Sequence, residues 1–158
     1  MFKKILVPMD LSECSQKALR AAVDLASIYG GEVFLLHVID KPTGQYHDKE
    51  DVDDELNAIQ TDESDLMNDA LKFAADAKES GKPELTRDRI FIRIASGAPA
   101  AEIVKAANES QTEMIVMGTH GRTSIKEMFL GSTAERVARE ASCAVLVVKP
   151  DGYPYLRD

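Results

Sequence analysis

The chain has 158 residues, a length suited to one domain with a proper core. Its formal net charge is −8, so no Lys/Arg stripe can neutralise a row of nucleic-acid phosphates, and an anionic membrane surface is excluded on the same ground. No apolar run reaches the roughly eighteen residues of a membrane span, and the first residues enter a strand pattern with no secretory signature, so a soluble cytoplasmic protein is expected.

The elements alternate in chain order. A first strand is expected near Lys3–Pro8, followed by a helix with Ala18, Ala22, Leu25, Ala26 and Tyr29 on one face. Gly30-Gly31 is a natural stop for that helix. A second strand is expected near Glu32–Val38. A second helix shows Leu66, Ala70, Phe73, Ala74 and Ala77, and ends before Gly81-Lys82-Pro83. A strand near Arg89–Ala95 precedes a helix that starts at Pro99 and buries Ala100, Ile103, Val104 and Ala107. Strands near Glu113–Met117 and Ala144–Val148 flank a last helix with Ala134, Val137, Ala138 and Ala141 on one face. Strict alternation of apolar strands with helices means a parallel sheet covered on both faces with right-handed crossovers, a doubly wound α/β fold.

Between the second strand and second helix lies His47-Asp48-Lys49-Glu50-Asp51-Val52-Asp53-Asp54-Glu55. The stretch lacks the glycine and the terminal Glu spacing of a calcium loop; it reads as a solvated connector feeding acidic residues into the first turn of the helix, with a divalent-metal site as the alternative. The two cysteines, Cys14 and Cys143, belong at opposite ends of the sheet, too far apart for a bridge. Cys143 reads as core filler. Cys14, at a helix start, is a candidate reactive thiol.

The chemistry concentrates in Met117-Gly118-Thr119-His120-Gly121-Arg122-Thr123-Ser124, with Gly131-Ser132-Thr133 downstream. Glycines allow backbone to approach a ligand closely, and the amides and dipole of a helix start favour an anion. A phosphate is the expected guest.

The spacing Gly118-x2-Gly121-x9-Gly131-Ser132 resembles the nucleotide-binding signature of the ATP-binding branch of the universal stress protein family. Lys4 to Ser12, Leu35-Leu36-His37-Val38, Gly97-Ala98-Pro99 with Glu102-Ile103, and Cys143 to Val148 resemble other family segments in the family's order. The resemblance runs over residues 1–150 as one nucleotide-binding domain, with 151–158 as a C-terminal tail. It implies a five-stranded sheet of order 3-2-1-4-5, whose switch point lies between strands one and four, where Asp10 and Gly118 both stand. It also implies a stress-response or regulatory role and a homodimer through Ala144 to Val148. The implied ligand is ATP, or AMP or ADP, with Mg²⁺ accompanying the nucleotide.

By the same resemblance the nucleotide contacts fall on Met117, Gly118, Thr119, His120, Gly121, Arg122, Thr123, Ser124, Gly131, Ser132, Thr133 and Ala134. Pro8 ends the first strand and walls the adenine or ribose pocket, Met9 beside it belongs to the same nucleotide site, and the Val38 backbone meets the adenine edge. Asp10 has two readings: a helix cap, or a carboxylate that accepts a ribose hydroxyl or faces Mg²⁺. His120 is either a phosphate ligand or a surface residue of the loop. No Walker loop, dinucleotide fingerprint or nucleophile elbow occurs, and no residue is assigned to catalysis. At most slow hydrolysis is expected, with a nucleotide-using transferase as the competing enzyme reading. No pattern identifies a downstream protein partner.

Overall fold

A strand that is apolar along its whole length needs cover on both faces, and this chain supplies it by placing a helix after each of its first four strands. The computed structural model describes residues 2–39, 49–120 and 130–150. Strands β1 (Lys4–Met9), β2 (Glu32–Ile39), β3 (Ile90–Ser96), β4 (Met114–Gly118) and β5 (Ala144–Val148) form one parallel sheet of order β3-β2-β1-β4-β5. The connecting helices are α1 (Glu13–Tyr29), α2 (Lys49–Glu79), α3 (Pro99–Glu109) and α4 (Ser132–Glu140). Ile5, Val7, Leu35 and Val116 pack with Leu19, Val23 and Leu66 beneath α1 and α2. Leu6, Leu36, Ile115 and Met117 pack on the opposite face with Ile103 and Val137 of α3 and α4. The fold and strand order are those expected; β1, β3 and β4 are displaced by one residue toward the carboxyl end, β2 starts as expected and runs one residue further, and β5 has the expected limits.

The stop after α1 uses its two glycines for different reasons. Gly30 takes the left-handed conformation, φ 65°, that closes the helix. Gly31 lies where a Cβ would stand 2.8 Å from the Lys3 carbonyl oxygen, at the point where β2 enters beside β1. Tyr29 leaves the expected apolar face: it is 48% exposed in the last turn, its ring edge-on to Phe2. Leu19 and Val23 fill the core instead. Ala138 is also exposed, because the short α4 presents only the narrow arc of Ala134, Val137 and Ala141 to its core.

The acidic connector is shorter than expected. Helix α2 starts at Lys49, so Glu50 to Glu55 belong to its first turns, where the dipole favours acidic residues. His47 and Asp48 lie outside the described residues. The edge strands differ in character. On β3, Arg93 is paired with Glu109 at 2.6 Å, whereas β5 is wholly apolar and leaves Leu146 exposed.

Candidate functional site at the carboxyl edge of the sheet

The site begins where β1 parts from β4. The β1–β2 ladder runs on to Met9↔His37, while β1 and β4 are registered only at Ile5↔Met114 and Leu6↔Ile115. Pro8, which has no N–H to offer a ladder, stands in the parting stretch. A cavity of about 430 Å³ opens there, within the roughly 300–1,000 Å³ of small-molecule sites. Pro8, Met9 and Asp10 line it from β1 and its exit, Val38 from β2, Met117 to His120 from β4 and its exit, and Gly131 to Ala134 from the start of α4. The sequence-predicted residues Gly121, Arg122, Thr123 and Ser124 lie outside the described residues. Ser15, Leu36, His37, Ile39, Pro99 and Ile103 also line the cavity and were not singled out as contacts. Most are apolar residues that look like core in any sequence, but a histidine inside the apolar run of β2 was a readable signal.

The polar pole is the first turn of α4. Gly131 is its N-cap, and its amide donates to the Thr119 carbonyl at 2.7 Å. That amide is therefore engaged, contrary to the expectation that it faces a phosphate. The first helical bond runs from the Glu135 N–H to the Gly131 carbonyl, so the amides of Ser132, Thr133 and Ala134 are the terminal donors of the helix. Such terminal donors and the helix dipole favour an anion. Thr119 also donates its own N–H to the Val148 carbonyl at 3.1 Å. The end of β4 is thereby clasped to both β5 and α4.

Gly118 has a different reason from the expected approach to phosphate. A Cβ there would lie 2.7 Å from Cys14 Sγ and 3.1 Å from the Cys14 carbonyl carbon. The glycine lets α1 close down on β4. Gly118→Ala should destabilise the domain by about 1–3 kcal/mol, and Cys14→Gly should recover only part of that loss because the α1 backbone stays close. Thermal or denaturant unfolding of the two variants and their combination reads this; equal stability of Gly118→Ala and wild type would refute it. Cys14 itself is 6% exposed and donates its thiol proton to the Val148 carbonyl at 3.4 Å, a packing role at the start of α1. Cys143 is half-buried against the α3–α4 core, and burial pushes its thiol pKa up.

Asp10 accepts the Ser12 N–H at 3.0 Å through Oδ1, with Leu11 between them at φ 63°. Capping of α1 belongs to Ser12, whose side chain accepts from the Ser15 N–H. The Asp10 carboxylate is thus anchored at the cavity mouth by a tight turn, and the cap reading of it is replaced. The apolar pole is built from Leu36, Val38, Pro99, Ile103 and Met117. Beside it His37 donates from Nδ1 to the Met9 carbonyl at 2.7 Å, with Nε2 3.7 Å from Asp62 of α2. No cluster of metal-ligating side chains occurs among the described residues.

A cavity at the switch point of a doubly wound parallel sheet places the chain among Rossmann-like folds, with the cavity as the candidate ligand site. Residues 1–149 match the universal stress protein family, and the chain belongs to it. Universal stress protein MJ0577 of Methanocaldococcus jannaschii is 35% identical over 158 residues, covering 94% of this chain and 96% of that protein. The solved structure of MJ0577 superposes with a TM-score of 0.68 at 33% identity, over 96% of this chain and 99% of that one. A universal stress protein in complex with cAMP has the same fold, with a TM-score of 0.64, 23% identity and coverage of 94% and 97%. So does one from Archaeoglobus fulgidus in complex with dAMP, at 0.59 and 22% over 94% of this chain and 100% of that one. Each of those two proteins is thus seen with a bound nucleotide.

Proposed function

We propose that this chain binds an adenine nucleotide, ATP foremost, in the cleft between β1 and β4, and acts as a nucleotide-dependent regulator in a cytoplasmic stress response. The observation that carries the reading is the cleft itself: an apolar slot sized for a base leads to the terminal amides of α4. The cAMP and dAMP complexes of proteins with this fold support an adenine in such a slot. The base lies between Val38, Pro99 and Met117, and the phosphates run toward Ser132, Thr133 and Ala134. The Gly121 to Ser124 segment completes the phosphate end, as the spacing of the motif implies. Asp10 serves the ribose hydroxyls or a Mg²⁺ carried in with the triphosphate. A mass spectrum of small molecules released from gently purified protein, followed by calorimetry with Mg-ATP, tests the reading. Absence of both bound and added nucleotide would end it.

The regulator is a homodimer joined through β5. The strand is apolar from Ala144 to Val148 and stands at the sheet edge with Leu146 39% exposed. Such an edge invites pairing, and a two-fold interface satisfies it. The Val148 carbonyl faces β4, since it accepts the Thr119 N–H, so alternation along the strand turns the Val147 N–H outward to the free edge. Val147→Pro removes that outward donor and should yield monomer that keeps its nucleotide site. Sedimentation at micromolar concentration checks this; a monomeric wild type, or a dimer untouched by Val147→Pro, counts against it.

A further inference from the structure

We infer that His37 is a positioning residue that ties α2 to the carboxyl end of β1 through Asp62, and that a proton on its Nε2 tightens the tie and makes the cleft pH-sensitive; the cleft half of this inference rests on the nucleotide reading above. Two apolar series break at one point. Along β2, Val33 and Leu35 are buried in the α1–α2 layer, and alternation puts His37 next on that face. Along α2, Ala74, Ala70 and Leu66 are buried at four-residue spacing, and the next position toward the helix start is Asp62. The imidazole and the carboxylate meet where both series lose their apolar residue. Nε2 lies 3.7 Å from Asp62 Oδ2, with the two side chains 14% and 29% exposed.

The other ring nitrogen fixes where a proton can come and go. Nδ1 lies 2.7 Å from the Met9 carbonyl, which can only accept, so Nδ1 keeps its hydrogen in both charge states. Titration therefore takes place at Nε2, the nitrogen that faces Asp62. A charged ring makes a charge-assisted bond to Met9 and attracts the carboxylate; a neutral ring turns a lone pair to it and gives up the attraction. Met9 ends β1 beyond its last registered pair with β4, and Asp10 follows at the cavity mouth. Among the described residues, the charged or titratable groups around the ring are Asp62, Asp10 with its Oδ1 on the Ser12 N–H, and His120, which lines the same cavity from the exit of β4. Opposite His37 in the ladder, β3 sets Ile94, and the residues that α1, α3 and α4 bring to the cavity, such as Ser15, Ile103 and Ser132, carry no charge.

Stability from such a pair is fully present below the ordinary imidazole range of about 6.5 and is lost as pH rises through it. The test is denaturant unfolding of the full chain, as wild type and as Asp62→Asn, a change outside the cavity lining. At about pH 5.5 wild type should be the more stable, by roughly two- to fivefold in the unfolding constant. At about pH 8 it should hold no advantage, because the asparagine amide donates to the neutral Nε2. The other two histidines, His47 and His120, are common to both proteins and cancel. Long-range ¹H–¹⁵N spectra of ligand-free wild type at about pH 8 should show the neutral His37 ring with its hydrogen on Nδ1. Mg-ATP affinity, read by calorimetry on the same pair so that the ligand's own titration cancels, should favour wild type roughly two- to fivefold at the lower pH alone. A neutral ring protonated at Nε2, or a stability difference that does not change with pH, would overturn the tie; the wild-type spectrum requires no variant to fold. A pH-dependent stability difference with equal Mg-ATP affinities would overturn the cleft half. The same difference in a protein that binds no Mg-ATP at either pH would sink the nucleotide reading and uphold the tie between α2 and β1.

Discussion

Gly131→Val should lower ATP affinity by at least roughly a hundredfold while the domain stays folded. Gly131 has φ −65° and ψ 152°, a conformation open to any L residue, so valine meets no backbone strain there. Its amide bond to Thr119 and the carbonyl that starts α4 also survive the change. What changes is the floor of the cleft. Gly131 is buried and lines the cavity beside the terminal amides of α4, so a branched side chain stands where phosphate oxygens must approach those donors. Asp10→Ala is the graded comparison: it removes one carboxylate and should weaken binding by only about 1.5–3 kcal/mol, the range of a hydrogen bond to a charged group. Calorimetry on variants with matched unfolding transitions reads both effects. An undiminished affinity in folded Gly131→Val would place the phosphates elsewhere.

Legibility followed the physics of each residue. The strands were readable because a buried parallel strand leaves an unbroken apolar run, and their ends were off by a residue because the ladder, not hydrophobicity, sets where a strand stops. Tyr29 and Ala138 satisfied helical periodicity and still turned to solvent, since periodicity cannot say where the sheet beneath a helix ends. The described members of the glycine motif line one cavity. The reasons assigned to the individual glycines were less readable. Gly118 is small because Cys14, 104 positions earlier, packs on it, and no local pattern encodes so distant a neighbour. Gly131 has its amide engaged by Thr119, a bond that exists only once β4 and α4 are brought together. His37 is an opposite case: an imidazole in an apolar strand was visible from the start, but its partners, Met9 and Asp62, come from two other elements.

Bound ATP should turn over far below the ~1–10³ s⁻¹ usual for enzymes unless a partner intervenes. Groups that recognise ground-state phosphates tighten binding; only those that interact more strongly with the transition state accelerate hydrolysis. Ser132, Thr133 and Ala134 offer donors of the first kind. In-line attack also needs a group that orients a water beyond the γ-phosphate. Asp10 is the only carboxylate lining the cavity among the described residues, and its Oδ1 is engaged by the Ser12 N–H at the strand end, a position suited to ribose or metal. His37 has its Nδ1 committed to the Met9 carbonyl and sits beside the apolar slot. Single-turnover hydrolysis of radiolabelled ATP, with and without Mg²⁺, measures the rate directly. Turnover of several per second that disappears in His120→Ala or Arg122→Ala while binding persists would mean that the cleft is an ATPase site, since loss of rate at constant affinity identifies groups that act on the transition state alone.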